Sequence, residues 1–400
     1  MYYIVMENIQ YKAKFAIIWL CAAHLVCDIY TGFLNPIMPF IAEKLQFSIT
    51  AAAIIISISH ICSSMLQPIF GYFADNILKR FFIFWGLVLV SVFIPLTPNA
   101  PNIICLLIFM ILGSLGGSFF HPQSMGYVNL FSNINDNCKE RSSQNMGTFI
   151  SLGSLGFACG PLIAALITQK LGLGMISWTS LLGLSLAFLM FAFVPKLSNS
   201  GKKIEHKEFI VSFDEIIKCR QMNLLMIVAM MKSLITNSCS ILLPFLWKDM
   251  GHSPFYIGLA LFLFVFSGAI GSFLSPKLEH ELGSKTVIYF SLCATFPMMI
   301  LFALTYKTCP LISMLIFSII GFTTMLAQPV IMVWAQKTLP KYKSIVSGFI
   351  NGFSWGTIAL CMSILGAVAQ NIGIIPVLVG LSILPIFAST CIKSLNNDKI

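Results

Sequence analysis

Long apolar runs, each near the length of a membrane-crossing helix, alternate along this chain with short polar loops. A helix needs about 20 mostly apolar residues to cross the hydrocarbon core. Twelve runs meet that requirement, near 15–41, 49–73, 81–97, 102–130, 146–169, 174–195, 222–247, 254–276, 286–305, 309–336, 344–369 and 373–392. The pattern predicts an all-α integral membrane protein with twelve transmembrane helices. Polar residues inside several runs recur at spacings of three and four. The first run holds His24, Asp28, Thr31 and Asn35, the second Ser57, His60, Ser64 and Gln67, and the fourth Ser114, Ser118, His121 and Ser124. Each set shares one helical face. A polar face in hydrocarbon turns toward a bundle interior or a water-filled cavity. Hydrogen bonding between helices explains any one of these residues, but repeated stripes fit a cavity better.

Composition agrees with a lipid-facing exterior. Apolar residues make up 58% of the 400 positions and charged residues 10%, against roughly 25% charged in a soluble protein. So few charges cannot cover a water-facing surface, and so much apolar surface excludes intrinsic disorder. The net charge of +10 resides in the loops, which argues against a nucleic-acid partner. Nineteen of the 24 Lys and Arg residues fall on one side of the predicted spans, and Lys44, Lys170, Lys248 and Lys307 on the other, with Lys232 inside a span. The basic side is the cytoplasmic one. Both termini are therefore expected in the cytoplasm of a cell whose plasma membrane (the inner membrane if Gram-negative) holds the protein. No cleavable signal is evident. Most of the twelve cysteines lie inside apolar runs and none forms a CxxC pair, so they read as small packing residues rather than metal or redox ligands.

The longest loop, 196–220, divides the chain six spans plus six. An N-terminal bundle over 1–195, a cytoplasmic linker over 196–220 and a C-terminal bundle over 221–400 are expected. Phe209, Phe213, Ile216 and Ile217 have helical spacing within the linker, so it is either a short amphipathic helix on the membrane surface or a plain solvated segment. The halves resemble each other. MPFIAEKLQFSITAA (38–52) aligns with LPFLWKDMGHSPFYI (243–257), TFISLGSLG (148–156) with GFINGFSWG (348–356), and His121-Pro122 with Gln328-Pro329, all at nearly one offset. That offset is even in spans, so the repeats are parallel, an arrangement transporters use to build a binding site between halves.

Only two formal charges lie deep in the spans, Asp28 in the first and Lys232 in the seventh. An intramembrane charge costs about 2.5–3.5 kcal/mol or more and is a functional candidate by default. The repeat alignment sets Asp28 opposite Ser233, beside Lys232, making the two candidates to face each other across the halves. Asp28 is the expected proton carrier, with His24 one turn away as a relay. A static ion pair holding the halves together is the alternative. Thr31, Asn35, His60, Gln67, His121, Gln123, Asn237, Gln328 and Asn351 are the expected polar lining of a substrate cavity.

GYFADNILKR, 71–80, resembles the loop 2–3 signature of the major facilitator superfamily, with Gly71, Ala74, Asp75, Lys79 and Arg80 matching and Leu78 in place of a glycine. The resemblance implies a cytoplasmic gate at Gly71, Asp75, Lys79 and Arg80. Gly147, Gly156, Gly160 and Pro161 in the fifth span follow the spacing of the antiporter signature of drug exporters in that superfamily, with Ala164-Ala165 replacing its last glycines. HLVCDIYTGFLNPIMPFI (24–41), FHPQS (120–124) and VWAQKTLP (333–340) together resemble the fosmidomycin-resistance branch. That resemblance implies a proton-driven exporter of small, drug-like molecules, working by alternating access as a functional monomer in the lipid bilayer. A proton-coupled importer of a small anionic metabolite, received by Lys232, is the alternative. A haem or redox protein using His24, His60 and His121 is a distant one. No phosphate-binding loop is present, and no enzyme activity, metal or cofactor is expected.

Overall fold

The computed structural model describes residues 2–64, 66, 69–70, 80–135, 139–195, 214–340, 346, 349–393 and 395. Among them every regular element is helical. The helices are α1 (Tyr2–Thr31), α2 (Leu34–Leu45), α3 (Ile49–Ser64), α4 (Arg80–Leu96), α5 (Ile103–Asn135), α6 (Lys139–Leu171) and α7 (Ser180–Phe193) in the first part of the chain. They continue with α8 (Arg220–Asp249), α9 (Pro254–Leu282), α10 (Ser284–Thr305), α11 (Pro310–Thr338), α12 (Ser354–Ile372), α13 (Ile374–Ser382) and α14 (Leu384–Lys393). A 3-10 segment, Leu173–Thr179, leads into α7, and a single π turn, Phe349–Phe353, leads into α12.

Eleven of the described spans are long and apolar enough to cross a membrane, α1 with α2 counting as one and α13 with α14 as another. The apolar α3, at 16 residues, begins the span expected over 49–73. Most of that span's remainder lies outside the described residues. Ile104, Leu182, Phe188, Phe273, Leu304 and Leu311 are each more than half exposed. In water such a belt would drive aggregation; lipid tails solvate it. Of the proposed linker helix only the last turn is described, with Asp214–Lys218 helical, Ile216 buried and Ile217 exposed.

Contacts divide the chain into two units, residues 1–37 with 66–204 and residues 38–65 with 205–400. In the first, α1 packs on α6 and α7, and α4 packs on α5 and α7. In the second, α8 packs on α12 and α14, and α10 packs on α11 and α14. By span order these are the same pairings, so the internal repeat recurs as packing. The turns repeat as well. Gly172 and Gly373, each between the fifth and sixth spans of its half, share a left-handed φ (97° and 93°) and an extended ψ (153° and 159°). Only glycine adopts that backbone without strain.

The units depart from chain order at one place. The stretch 38–65, expected inside a bundle of 1–195, packs with the second unit because α3 presents small residues to α12. A side chain at Gly366 would overlap the Ala53 methyl group. Near the α3 N-terminus, the Thr50 hydroxyl donates to Gln370 Oε1 over 2.6 Å. At the end of α2, Glu43 pairs with Lys248 of α8 at 3.0 Å, and that ammonium also lies over the Phe40 ring. The apolar heart of the second unit joins Met222, Leu225 and Val228 of α8 to Val330 and Trp334 of α11.

In the first unit α6 lies close against α1 along a row of glycines. A Cβ on Gly156 would strike the Leu25 carbonyl, and one on Gly160 would strike the Ile29 carbonyl. From the other side, a Cβ on Gly32 would lie 2.8 Å from the Phe157 carbonyl oxygen and 3.0 Å from Pro161 Cδ. Close backbone approach through small residues is how helices associate where lipid removes the hydrophobic drive. Gly147, by contrast, has nothing within 4 Å of its would-be Cβ. Gly156→Ala should therefore destabilise the protein by about 1–3 kcal/mol, the range for overpacking. Gly147→Ala should be neutral or stabilising, because alanine is favoured over glycine in a helix by roughly 0.5–1 kcal/mol. Thermal unfolding of both variants in detergent tests the difference, and equal midpoints would refute it.

Candidate functional site

The space vacated by glycine next to α1 is filled by an imidazole. A Cβ on Gly153 would overlap the His24 ring itself. That ring stacks on Phe149, with centroids 4.0 Å apart and planes inclined by 21°. Its Nδ1 lies 2.8 Å from the Phe149 carbonyl oxygen. A carbonyl can only accept, so Nδ1 carries a hydrogen and donates. The remaining nitrogen, Nε2, faces Asp28 Oδ2 at 3.2 Å, one turn along α1.

Nε2 and Oδ2 stand at the distance of an ion pair or hydrogen bond. The second Asp28 oxygen, Oδ1, lies 3.5 Å from His121 Nε2 of α5. The three side chains are 9%, 15% and 25% exposed in the order His24, Asp28, His121. One ligand atom from each lies within 4.8 Å of the others. His121, expected among the cavity-lining groups, thus stands in the carboxylate's own cluster, delivered by the packing of α5 on α1.

The other expected residues fall into distinct places. Thr31 spends its hydroxyl on the Asp28 backbone carbonyl at 2.9 Å. Asn35 is half-buried and Gln123 is buried. In the second unit, Lys232 is 3% exposed and donates to Gln328 Oε1 at 2.6 Å, with Met325 Sδ 3.7 Å away. Within that unit no described carboxylate lies within ion-pair distance of it. Asn237 donates to the Ser233 carbonyl. His60 packs in the second unit against Trp355, ring centroids 6.1 Å apart. The backbone of Asn351 belongs to the π turn, a feature frequent at functional sites. Gln67, Gly71, Asp75 and Lys79 lie outside the described residues. Arg80, expected at a gate, donates from Nη1 to the Val194 carbonyl at 2.7 Å, with its guanidinium 4.3 Å from the Phe191 ring centroid. It caps the end of α7, where a cation is favoured by the helix dipole.

Sequence reasoning missed two residues. Phe149 contributes through a backbone carbonyl, which no residue pattern encodes. Gly153 stands three residues before Gly156, and that small-residue spacing was the available signal.

The family model described as Major Facilitator Superfamily matches residues 20–364. The chain belongs to this superfamily. As a superfamily member it is a multi-pass membrane transporter and not an enzyme. It is 26% identical over 359 residues to the fosmidomycin resistance protein of Escherichia coli (strain K12), covering 88% of this chain and 86% of that one. It is 25% identical over 377 residues to the uncharacterized MFS-type transporter YfnC of Bacillus subtilis (strain 168), covering 92% and 90%. Among solved structures, the nucleoside transporter NupG superposes with a TM-score of 0.75 at 12% identity, covering 95% of this chain and 99% of that one. A bacterial homologue of the human lysosomal transporter Spinster gives 0.74 at 13% identity, covering 96% of each. These two likenesses establish the fold.

Because the His24 ring occupies the place of a Gly153 side chain, Gly153→Ala should displace it from both Phe149 and Asp28. The expected outcome is a transport rate in proteoliposomes as low as that of His24→Ala. The double variant should be no less stable than His24→Ala alone, since the ring has already left. A Gly153→Ala protein with the native rate would show that the ring's position is immaterial.

Proposed function

We propose that this superfamily member exports a small, drug-like molecule in exchange for protons, by alternating access. The observation that carries the reading is the His24–Asp28–His121 cluster, with His24 buried and the other two half-buried. It sets the deep carboxylate of the first unit beside two imidazoles, side chains of the types that bind and pass protons. A group that binds a proton inside the membrane is what couples transport to a proton gradient. Export is supported by the name of the relative in Escherichia coli and by the glycines of α6, which follow the antiporter spacing. The protein works as a monomer in the plasma membrane, with both termini cytoplasmic, as the distribution of Lys and Arg indicates. Gly71, Asp75, Lys79 and Arg80, by their resemblance to the superfamily signature, serve at its cytoplasmic gate. Thr31, Asn35 and Gln123 are the polar residues of the first unit, and His60, Asn237 and Gln328 those of the second, that serve substrate passage.

Asp28→Asn keeps the shape and removes the exchangeable proton. It should abolish transport driven by a pH gradient in reconstituted vesicles while leaving exchange of substrate for substrate. Retained pH-driven transport would remove Asp28 from the mechanism.

Lys232 favours a second reading, uptake of a small anionic metabolite. A buried amine held by an amide oxygen and a thioether, with no described carboxylate of its own unit within ion-pair distance, is suited to receive an anion. Hydrogen bonds to charged groups are worth about 1.5–3 kcal/mol, roughly a tenfold to hundredfold change in affinity. Under this reading Lys232→Ala loses that factor for anions only. Under the export reading it leaves the order of preference among neutral, cationic and anionic compounds unchanged. A charge-varied substrate panel on this variant separates the two.

A further inference from the structure

The first unit's cluster also has the composition and geometry of a metal site. Its ligand atoms come from two packed helices, Nε2 of His24 and a carboxylate oxygen of Asp28 from α1, and Nε2 of His121 from α5. Each imidazole nitrogen faces its own oxygen of the Asp28 carboxylate, at 3.2 and 3.5 Å, and one ligand atom from each residue lies within 4.8 Å of the others, so a modest closure would bring the set to the spacing of atoms sharing one ion. Ligands about 2.0–2.1 Å from zinc at right or tetrahedral angles stand roughly 2.9–3.4 Å apart. The anchoring of His24 is equally telling. A metal-bound histidine typically donates its other N–H to a carbonyl or carboxylate, which fixes the ring and raises the basicity of the ligating nitrogen. The Phe149 carbonyl holds His24 Nδ1 in that manner at 2.8 Å, and the stacked Phe149 ring and the Gly153 gap immobilise the imidazole. His121 has the freedom to close the remaining distance. It is a quarter exposed, and Gly117, one turn before it, leaves space in which only the His121 ring comes within 4 Å of a would-be Cβ.

We infer that His24, Asp28 and His121 bind a borderline divalent transition-metal ion, of the class of Zn²⁺, Co²⁺ or Ni²⁺, with water completing the coordination. Two imidazoles and one carboxylate select this class. Calcium and magnesium prefer oxygen-only sets, and copper(I) prefers the sulfur ligands that this set lacks. The inference deepens the proposed role of the cluster as the cation-exchanging site, since a metal ion would use the same lone pairs that hold the proton.

The test uses the purified full-length protein in detergent, stripped with a chelator and titrated with Co²⁺ under absorption spectroscopy. One Co²⁺ per chain is expected, with ligand-field bands, no thiolate charge-transfer band, and displacement by Zn²⁺. His24→Asn, Asp28→Asn and His121→Asn should each weaken binding by about tenfold or more. His121→Asn alters the most exposed of the three side chains, so it keeps the test open should a buried variant fail to fold. Absence of Co²⁺ binding, a sulfur charge-transfer band, or binding unchanged in His121→Asn and Asp28→Asn would each overturn the inference. Binding needs no transport, and the pH-driven transport of Asp28→Asn needs no metal, so the two readings fail separately.

Discussion

The contact between α1 and α6 is the constraint on which the first unit's chemistry depends. Gly32 just past α1, and Gly156 and Gly160 on α6, let the two backbones approach until carbonyls stand where side chains would otherwise be, and Gly153 leaves room for the His24 ring. Lipid tails are as apolar as leucine, so hydrophobic burial contributes little to holding these helices together. Dispersion contacts between closely matched surfaces must do so, and they decay within a fraction of an ångström of separation. The same approach brings the Phe149 carbonyl within reach of His24. Helix packing and the anchoring of His24 therefore share one interface.

That interface also explains how a carboxyl group can be carried inside an apolar bundle. A buried charge without partners is the expensive state, and a buried network is tolerable when each member is satisfied. Asp28 has one oxygen for each imidazole, and His24 has its second nitrogen on a backbone carbonyl. Each polar atom of His24 and each oxygen of Asp28 thus has a polar neighbour, so the apolar bundle does not enclose an unpartnered carboxyl group there. Rigidity is uneven across it. His24 is clamped by stacking, whereas His121 is the more exposed partner and the one with room to turn.

The two halves share a packing plan and differ in chemistry. The pairings of spans recur, and so do the glycine turns at Gly172 and Gly373. The first span of one half carries Asp28 with two histidines, and the first span of the other carries Lys232 with Gln328 and Met325. A duplicated frame thus presents a carboxyl–imidazole cluster in one unit and a lysine held by an amide oxygen and a thioether in the other.

The sequence by itself determined the helical membrane class, the parallel repeat and the candidacy of Asp28, His24 and Lys232. Those properties are one-dimensional: span length is set by bilayer thickness, a shared face by the 3.6-residue period, and the cost of a deep charge by the apolar run around it. The pairing of His24 with Asp28 was legible for the same reason, since four residues make one helical turn. Only the tertiary structure decided that His121 joins them from α5, that Phe149 supplies the anchoring carbonyl, and that Gly153 makes room for the ring. It also decided that residues 38–65 pack with the second unit and that Arg80 caps α7. Each of these depends on which helices touch and at what depth, and that is set by side-chain volumes summed over whole faces. No local spacing encodes such a sum, and a backbone carbonyl leaves no mark in the residue pattern at all.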